Sequence, residues 1–185
     1  IAKPIHAVRG QTLGLLGCGR IALCLAVKAQ VFGIKVIAYD PYIKPEAVKD
    51  FGVTLVSREE LLAQSDFISM HLLLNEDTRK SINADFFKKM KNSAIFVNTA
   101  RGGLVDEDAL IEALRTGEIA GAALDVLTEE GIDKDAPLQK FDNVIITPHA
   151  AWYSEQAFYT LLTSAAQEVV RALHGEPVKN QVNHF

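Results

Sequence analysis

Short apolar runs alternate along the chain with segments whose apolar residues recur at helical spacing. Residues 12–16, 36–39, 67–70, 94–97, 120–126 and 144–147 read as strands, and their near-continuous apolar character is that of strands buried on both faces of a parallel sheet. Helices are predicted between them. One runs over 21–32 and is closed by Gly33. One begins after Ser57, with Glu60 three residues on to complete a capping box. One is capped by Asn83 and stapled by Ile82 and Phe87, and one is capped by Asp106 and ended by Gly117. From Phe158 to Leu173 apolar residues fall at i, i+3, i+4 and i+7, which makes one broad stripe stopped by Gly175 and Pro177. Strands alternating with helices predict an α/β fold.

The turn after the first strand carries candidate chemistry. "LGLLGCGRIALC" places Gly17, Gly19 and Ala22 in a G-x-G-x-x-A pattern between a strand and a helix. The first glycine permits a tight turn, the second lets a pyrophosphate approach the backbone, and the third position must be small for helix–sheet packing. A phosphate there would meet the unpaired N–H groups of the helix start. Asp40 ends the second strand about 20 residues further on, where a carboxylate accepts hydrogen bonds from the ribose hydroxyls and repels a 2′-phosphate. The pair points to NAD rather than NADP, bound on a Rossmann-type doubly wound parallel sheet in a single domain. Asp40 also reads as the start of a turn before Pro41.

In such a sheet ligands lie beyond the carboxyl ends of the strands. Arg101, Glu130 and His149 each follow a predicted strand and so fall on the edge of the glycine loop. A guanidinium offers a planar fork to a carboxylate. An imidazole exchanges protons near neutral pH. Glu130 would hold that imidazole and stabilise its charged form. The three suggest interconversion of a 2-hydroxy acid and a 2-oxo acid. Gly102 and Gly103 beside Arg101 suggest close approach of the ligand. Plainer readings stand beside these: Arg101 as a solvated loop residue, Glu129 and Glu130 as surface charges, His149 as structural. His71 reads as structural or cofactor-lining.

The segments "LGLLGCGRIA", "YDPY", "VNTARGGLVDEDAL", "GAALDV" and "TPHAAWYSEQA" together resemble the NAD-binding domain of the D-isomer-specific 2-hydroxyacid dehydrogenases, with the last segment nearest the branch resembling the C-terminal-binding proteins, which are transcriptional corepressors. The resemblance implies Arg101, Glu130 and His149 as catalytic residues. It implies cofactor contacts from Gly17, Cys18, Gly19, Arg20 and Ile21 of the loop, from Asp40, and from Thr78. Thr99 and Ala100 would line the nicotinamide pocket, with Asp125 on the nicotinamide amide and His149 beside it. It also implies a homodimer formed through the cofactor domain. Two positions depart from the family pattern: Leu73 and Gly131 stand where prolines are usual, and Gly131 loosens the loop carrying Glu130.

The family places a substrate domain before the first nucleotide-binding strand, and here that strand begins about a dozen residues in. Residues 1–185 are therefore expected to be the cofactor domain, with 176–185 a tail leading back toward a substrate domain. Such a piece is expected to bind NAD and to oxidise hydroxy acids poorly. The alternative function is an NAD(H)-sensing corepressor-like scaffold, and a third is a cofactor domain whose catalysis has lapsed.

Composition adds exclusions. A net charge of −4 gives no electrostatic case for nucleic acid or an anionic membrane, and Lys88, Lys89 and Lys91 read as the cationic end of a helix. Cys18 and Cys24 have no metal-site spacing and make no disulfide framework, so a reducing, cytoplasmic setting is expected and Cys18 reads as a loop position without redox role. No apolar run approaches the ~18 residues of a membrane span.

Overall fold

The predicted strands pair side by side into one parallel sheet. In the computed structural model, which describes residues 6–129, 136–179 and 181, the chain divides into two compact units, 1–149 and 150–185. The first contains β1 (Thr12–Leu16), β2 (Lys35–Tyr39), β3 (Thr54–Leu55), β4 (Phe67–Met70), β5 (Ile95–Asn98), β6 (Gly121–Leu124) and β7 (Val144–Ile146). All pair in parallel in the order β3-β2-β1-β4-β5-β6-β7. This is the doubly wound Rossmann order extended by one strand, and the direction of winding reverses between β1 and β4.

Alternation along β1 shows the double winding. Leu13 and Leu15 join the apolar cluster under α1 (Arg20–Val31), and Leu16 joins the larger cluster on the other face. Ala22, Ala26 and Ala29 give α1 a small-residue stripe, so its backbone presses close to the sheet. On the opposite face α3 (Arg58–Gln64) crosses Gly14, where an added Cβ would lie 2.2 Å from the Ser65 hydroxyl. The capping box at Ser57 and Glu60 is formed, and the Asn83 side chain caps α4 (Ala84–Lys88) at Phe86 N–H. Phe86, Phe87 and Phe96 meet edge to face with centroids 5.5–6.2 Å apart, the favourable geometry for ring quadrupoles.

Some local expectations need correction. Asp106 occupies the N-cap position of α5 (Glu107–Thr116), but its side chain does not cap the helix; it faces Lys80 at 4.0 Å. The lysine cluster does close a helix as expected, with Lys88 in the last turn of α4 and Lys89 at its C-cap, while Lys89 also pairs with Asp85 at 2.7 Å and Lys91 with Asp66 at 2.9 Å. The short helix α2 (Pro45–Val48) and the two-residue edge strand β3 carry too few periodic positions to be visible in the pattern.

The second unit holds α6 (Glu155–Leu173), capped by the Ser154 hydroxyl at Ala157 N–H and followed by Gly175 in the left-handed region. Its tail folds back on it through the Lys179 N–H bond to Glu168 at 2.7 Å. Among the described residues no helix is long and apolar enough to cross a membrane.

Truncating the buried aromatic cluster tests this account of the core. Phe96→Ala is expected to cost about 3–5 kcal/mol, read as a fall in the urea midpoint with an unchanged slope.

Candidate active site

The turn between β1 and α1 is shaped by two glycines with different tasks. Gly17 has φ +90°, and a Cβ on it would lie 2.8 Å from the carbonyl carbon and oxygen of His71. It therefore lets the end of β1 touch the end of β4 at the winding reversal. Gly19 is the N-cap of α1 and has nothing within 4 Å of where its Cβ would stand. No side chain caps α1 and no acidic residue occupies its first turn. The positive end of the helix dipole thus faces open space, which fits a pyrophosphate. Ala22 is fully buried, as the packing of helix on sheet requires.

Asp40 is held from two sides. Cys18 N–H donates to one carboxylate oxygen and Tyr42 N–H to the other, both at 2.9 Å. Each oxygen keeps a free lone pair, so the acid is oriented and still able to accept from ribose hydroxyls. The Cys18 thiol is buried, and burial, followed by the Asp40 charge, pushes its pKa up. It stays protonated, in keeping with a role as a loop position.

Two clefts meet at Gly19. The first, of about 620 Å³, is lined by Gly19, Arg20, Ile21, Thr99, Ala100 and Arg101. The second, of about 470 Å³, is lined by Gly17, Asp40, Tyr42, Arg58 and Thr78. Gly19, His71, Leu72 and Leu73 line both, so they form a two-lobed trough across the β1–β4 reversal. Thr78 stands on the second lobe with its hydroxyl engaged, donating to Leu73 C=O at 2.7 Å and accepting from Asn75 N–H at 2.8 Å. Tyr42 and Arg58 were not singled out in the sequence, because neither belongs to the glycine pattern nor to a strand end.

The ends of β5, β6 and β7 are tied beyond the regular sheet. Asp125 N–H donates to Asn98 C=O and His149 N–H donates to Asp125 C=O, both at 2.9 Å. The Thr147 hydroxyl donates to the buried Asp125 carboxylate at 2.5 Å. His149 sits in the left-handed region at φ +53°, a conformation that costs a non-glycine residue roughly 1–2 kcal/mol. Because the strands are parallel, the segments carrying Arg101 and His149 leave the sheet at one rim. Glu130, and with it the expected pairing to His149, lies outside the described residues.

Gly102 and Gly103 serve a purpose other than the expected one. A Cβ on Gly102 would lie 1.9 Å from Leu127 C=O, and one on Gly103 would lie 3.0 Å from the Leu74 side chain. Both face protein, so they let neighbouring loops close on each other rather than admit a ligand. Asn98 was also missed, though a polar residue ending a strand two places before a turn is the usual sign of a side chain bonded to its own backbone. It is buried, accepts from Ala100 N–H and donates to Arg101 C=O, each at 3.0 Å.

Residues 2–151 match the profile described as "D-isomer specific 2-hydroxyacid dehydrogenase, NAD binding domain". The chain belongs to this family. It is 46% identical to a D-3-phosphoglycerate dehydrogenase of Methanocaldococcus jannaschii over 94% of the chain and 33% of that protein. It is 42% identical to a glyoxylate reductase of Korarchaeum cryptofilum over 96% of the chain and 54% of that protein. Among solved structures, the NAD-complexed D-isomer specific 2-hydroxyacid dehydrogenase of Lactobacillus delbrueckii ssp. bulgaricus superposes with a TM-score of 0.88 at 35% identity, covering 96% of the chain and 58% of that structure. The chain thus spans a third to rather more than half the length of these relatives.

NAD is the cofactor of this 2-hydroxyacid dehydrogenase domain. Beneath the cofactor trough lies His71, its Nε2 3.0 Å from the Ser69 hydroxyl. Burial lowers its pKa from 6.5 to about 4, so the ring is neutral in the fold at physiological pH.

Three outcomes follow from this geometry. Gly19→Ala meets no neighbour, so thermal stability should hold while NADH affinity, read by fluorescence titration, falls more than tenfold. Gly102→Ala should instead destabilise the fold by a few kcal/mol, read as a lower melting temperature, because its Cβ would strike the Leu127 backbone. His71 carries the pH dependence. The unfolded chain takes up a proton on this ring below its ordinary pKa and the folded chain does not. The stability this difference supplies is complete above pH 6.5 and is lost as pH falls toward about 4. In urea titrations His71→Gln should flatten that fall by on the order of 2–3 kcal/mol.

Proposed function

We propose that the chain is the cofactor domain of an NAD-dependent oxidoreductase that interconverts a D-2-hydroxy acid and a 2-oxo acid, with residues 176–185 leading back toward a substrate domain. The observation that carries this reading is the placement of Arg101 on the wall of the same cleft as Gly19, Arg20 and Ile21. A permanent cation beside a dinucleotide cradle in a domain of net charge −4 calls for a small anion. The names of the relatives, D-3-phosphoglycerate dehydrogenase and glyoxylate reductase, support an acid of this class.

Bound NAD supplies the hydride chemistry. Arg101 pairs its planar fork with the substrate carboxylate and so sets the orientation of the reacting carbon. His149 exchanges a proton with the C2 oxygen, and Glu130 holds the imidazole in the required orientation. Asp125 receives the nicotinamide amide, and Thr99 and Ala100 line its pocket. Asp40 takes the ribose hydroxyls of the adenosine. The active species is a cytoplasmic homodimer joined through the cofactor domain.

The test is turnover of a panel of 2-oxo acids by the whole protein with NADH. Arg101→Ala should lower kcat/KM by about two orders of magnitude or more, chiefly through KM, with Arg101→Lys recovering only part. Asparagine tolerates the left-handed backbone, so His149→Asn should keep the fold and NADH binding while kcat falls roughly 10²–10⁴-fold. A whole protein that binds NADH yet reduces no member of the panel would sink the reading.

A further inference from the structure

Arg101 is exposed and sits on a turn outside regular structure, yet its direction is set. The guanidinium Nη1 donates to Ala100 C=O at 2.6 Å, so the side chain follows the peptide that joins residues 100 and 101. That peptide is bracketed by a single buried side chain. Asn98 Oδ1 accepts from Ala100 N–H, which belongs to the peptide before it, and Asn98 Nδ2 donates to Arg101 C=O, which belongs to the peptide after it, each at 3.0 Å. With both neighbours fixed, the central peptide has little freedom to rotate. Asn98 is itself anchored, since it ends β5 and its own carbonyl accepts from Asp125 N–H at 2.9 Å. Asp125 C=O in turn accepts from His149 N–H at 2.9 Å.

We propose that Asn98 is the positioning residue of the site, an amide clamp that aims the Arg101 guanidinium into the cleft it shares with the glycine loop and registers that turn against the His149 segment. It rests on the assignment of Arg101 to a substrate carboxylate. A side chain that is 1% exposed and bonded at both ends holds the turn before any ligand arrives, and geometry set in advance is what makes a positioned charge effective. Glutamine is too long for the turn, and aspartate keeps the acceptor for Ala100 N–H but turns a second acceptor toward Arg101 C=O. Asn98→Asp therefore opens one side of the clamp.

The probe is oxalate, a flat dicarboxylate, titrated against the NADH complex of the whole protein. Asn98→Asp should weaken oxalate roughly tenfold while NADH affinity changes less than about twofold. In a background of Arg101→Ala the same substitution should cost less than about twofold, because Asn98 acts through the guanidinium. Deuterium uptake at residues 99–101 should rise in Asn98→Asp and stay unchanged along β1. Equal losses in both backgrounds, a parallel loss of NADH affinity, or unchanged uptake at 99–101 would each overturn the clamp. Should Arg101→Ala leave oxalate affinity untouched, the carboxylate assignment falls, and the uptake measurement still decides whether Asn98 holds the turn. Asn98→Ser, which keeps a weaker acceptor for Ala100 N–H, supplies the comparison where Asn98→Asp does not fold.

Discussion

The contact on which the site depends is the approach of two strand ends at the winding reversal. The turn after β1 comes so near the end of β4 that a methyl group on Gly17 would fall within 2.8 Å of the His71 carbonyl. A side chain there would push the two strands apart or tip the turn away from the sheet. With glycine the turn stays low, α1 starts directly above the crevice, and its unpaired N–H groups face the trough. The crevice itself is a consequence of topology, because chain segments leaving β1 and β4 diverge to opposite faces.

The electrostatics of the trough follow from that placement. The first turn of α1 carries no acid, so nothing within the helix neutralises its positive end. The negative group at the far lobe, Asp40, is pinned by two backbone N–H groups. The uncapped helix start at Gly19 and the oriented Asp40 carboxylate therefore stand on the same trough. His71 lies beneath both lobes and is kept neutral by burial. A charged ring there would have to be desolvated, and the Ser69 hydroxyl is a weak substitute for water.

On the other half of the rim, order comes from hydrogen bonds that continue past the last regular pair of each strand. Asn98, Asp125 and His149 are joined main chain to main chain, while Gly102 admits the Leu127 backbone. The loops after β5 and β6 are thus fastened to each other without any ligand. His149 accepts an unfavourable backbone conformation in the course of this. Strain of that kind persists only where the surroundings overdetermine the position, and here the bond to Asp125 is part of what does so.

Most of the fold was legible in the sequence, for a physical reason. Central parallel strands are buried on both faces, so 12–16 and 67–70 announce themselves as apolar runs, and the helix boundaries at Ser57, Asn83 and Gly117 are written in capping chemistry that acts within a few residues. The strand, turn and helix around Gly17 and Gly19 were legible because their spacing encodes one local unit, and the place of Asp40 was legible because it follows the next apolar strand. Asp106 holds the expected N-cap position, but its carboxylate lies 4.0 Å from the Lys80 ammonium and makes no cap to the helix N–H groups. The two glycines after Arg101 were misread because what a glycine makes room for depends on segments some 25 to 30 residues away, the backbone at Leu127 for Gly102 and the Leu74 side chain for Gly103. Asn98 went unnoticed for the same reason: its burial and its tie to Asp125 arise only when β5 and β6 pair. Local propensity and capping are settled by neighbours in sequence, so the chain alone decided its elements and its cofactor loop. Close approach and hydrogen bonding between strand ends are settled by neighbours in space, so only the folded sheet decided how Arg101 is aimed.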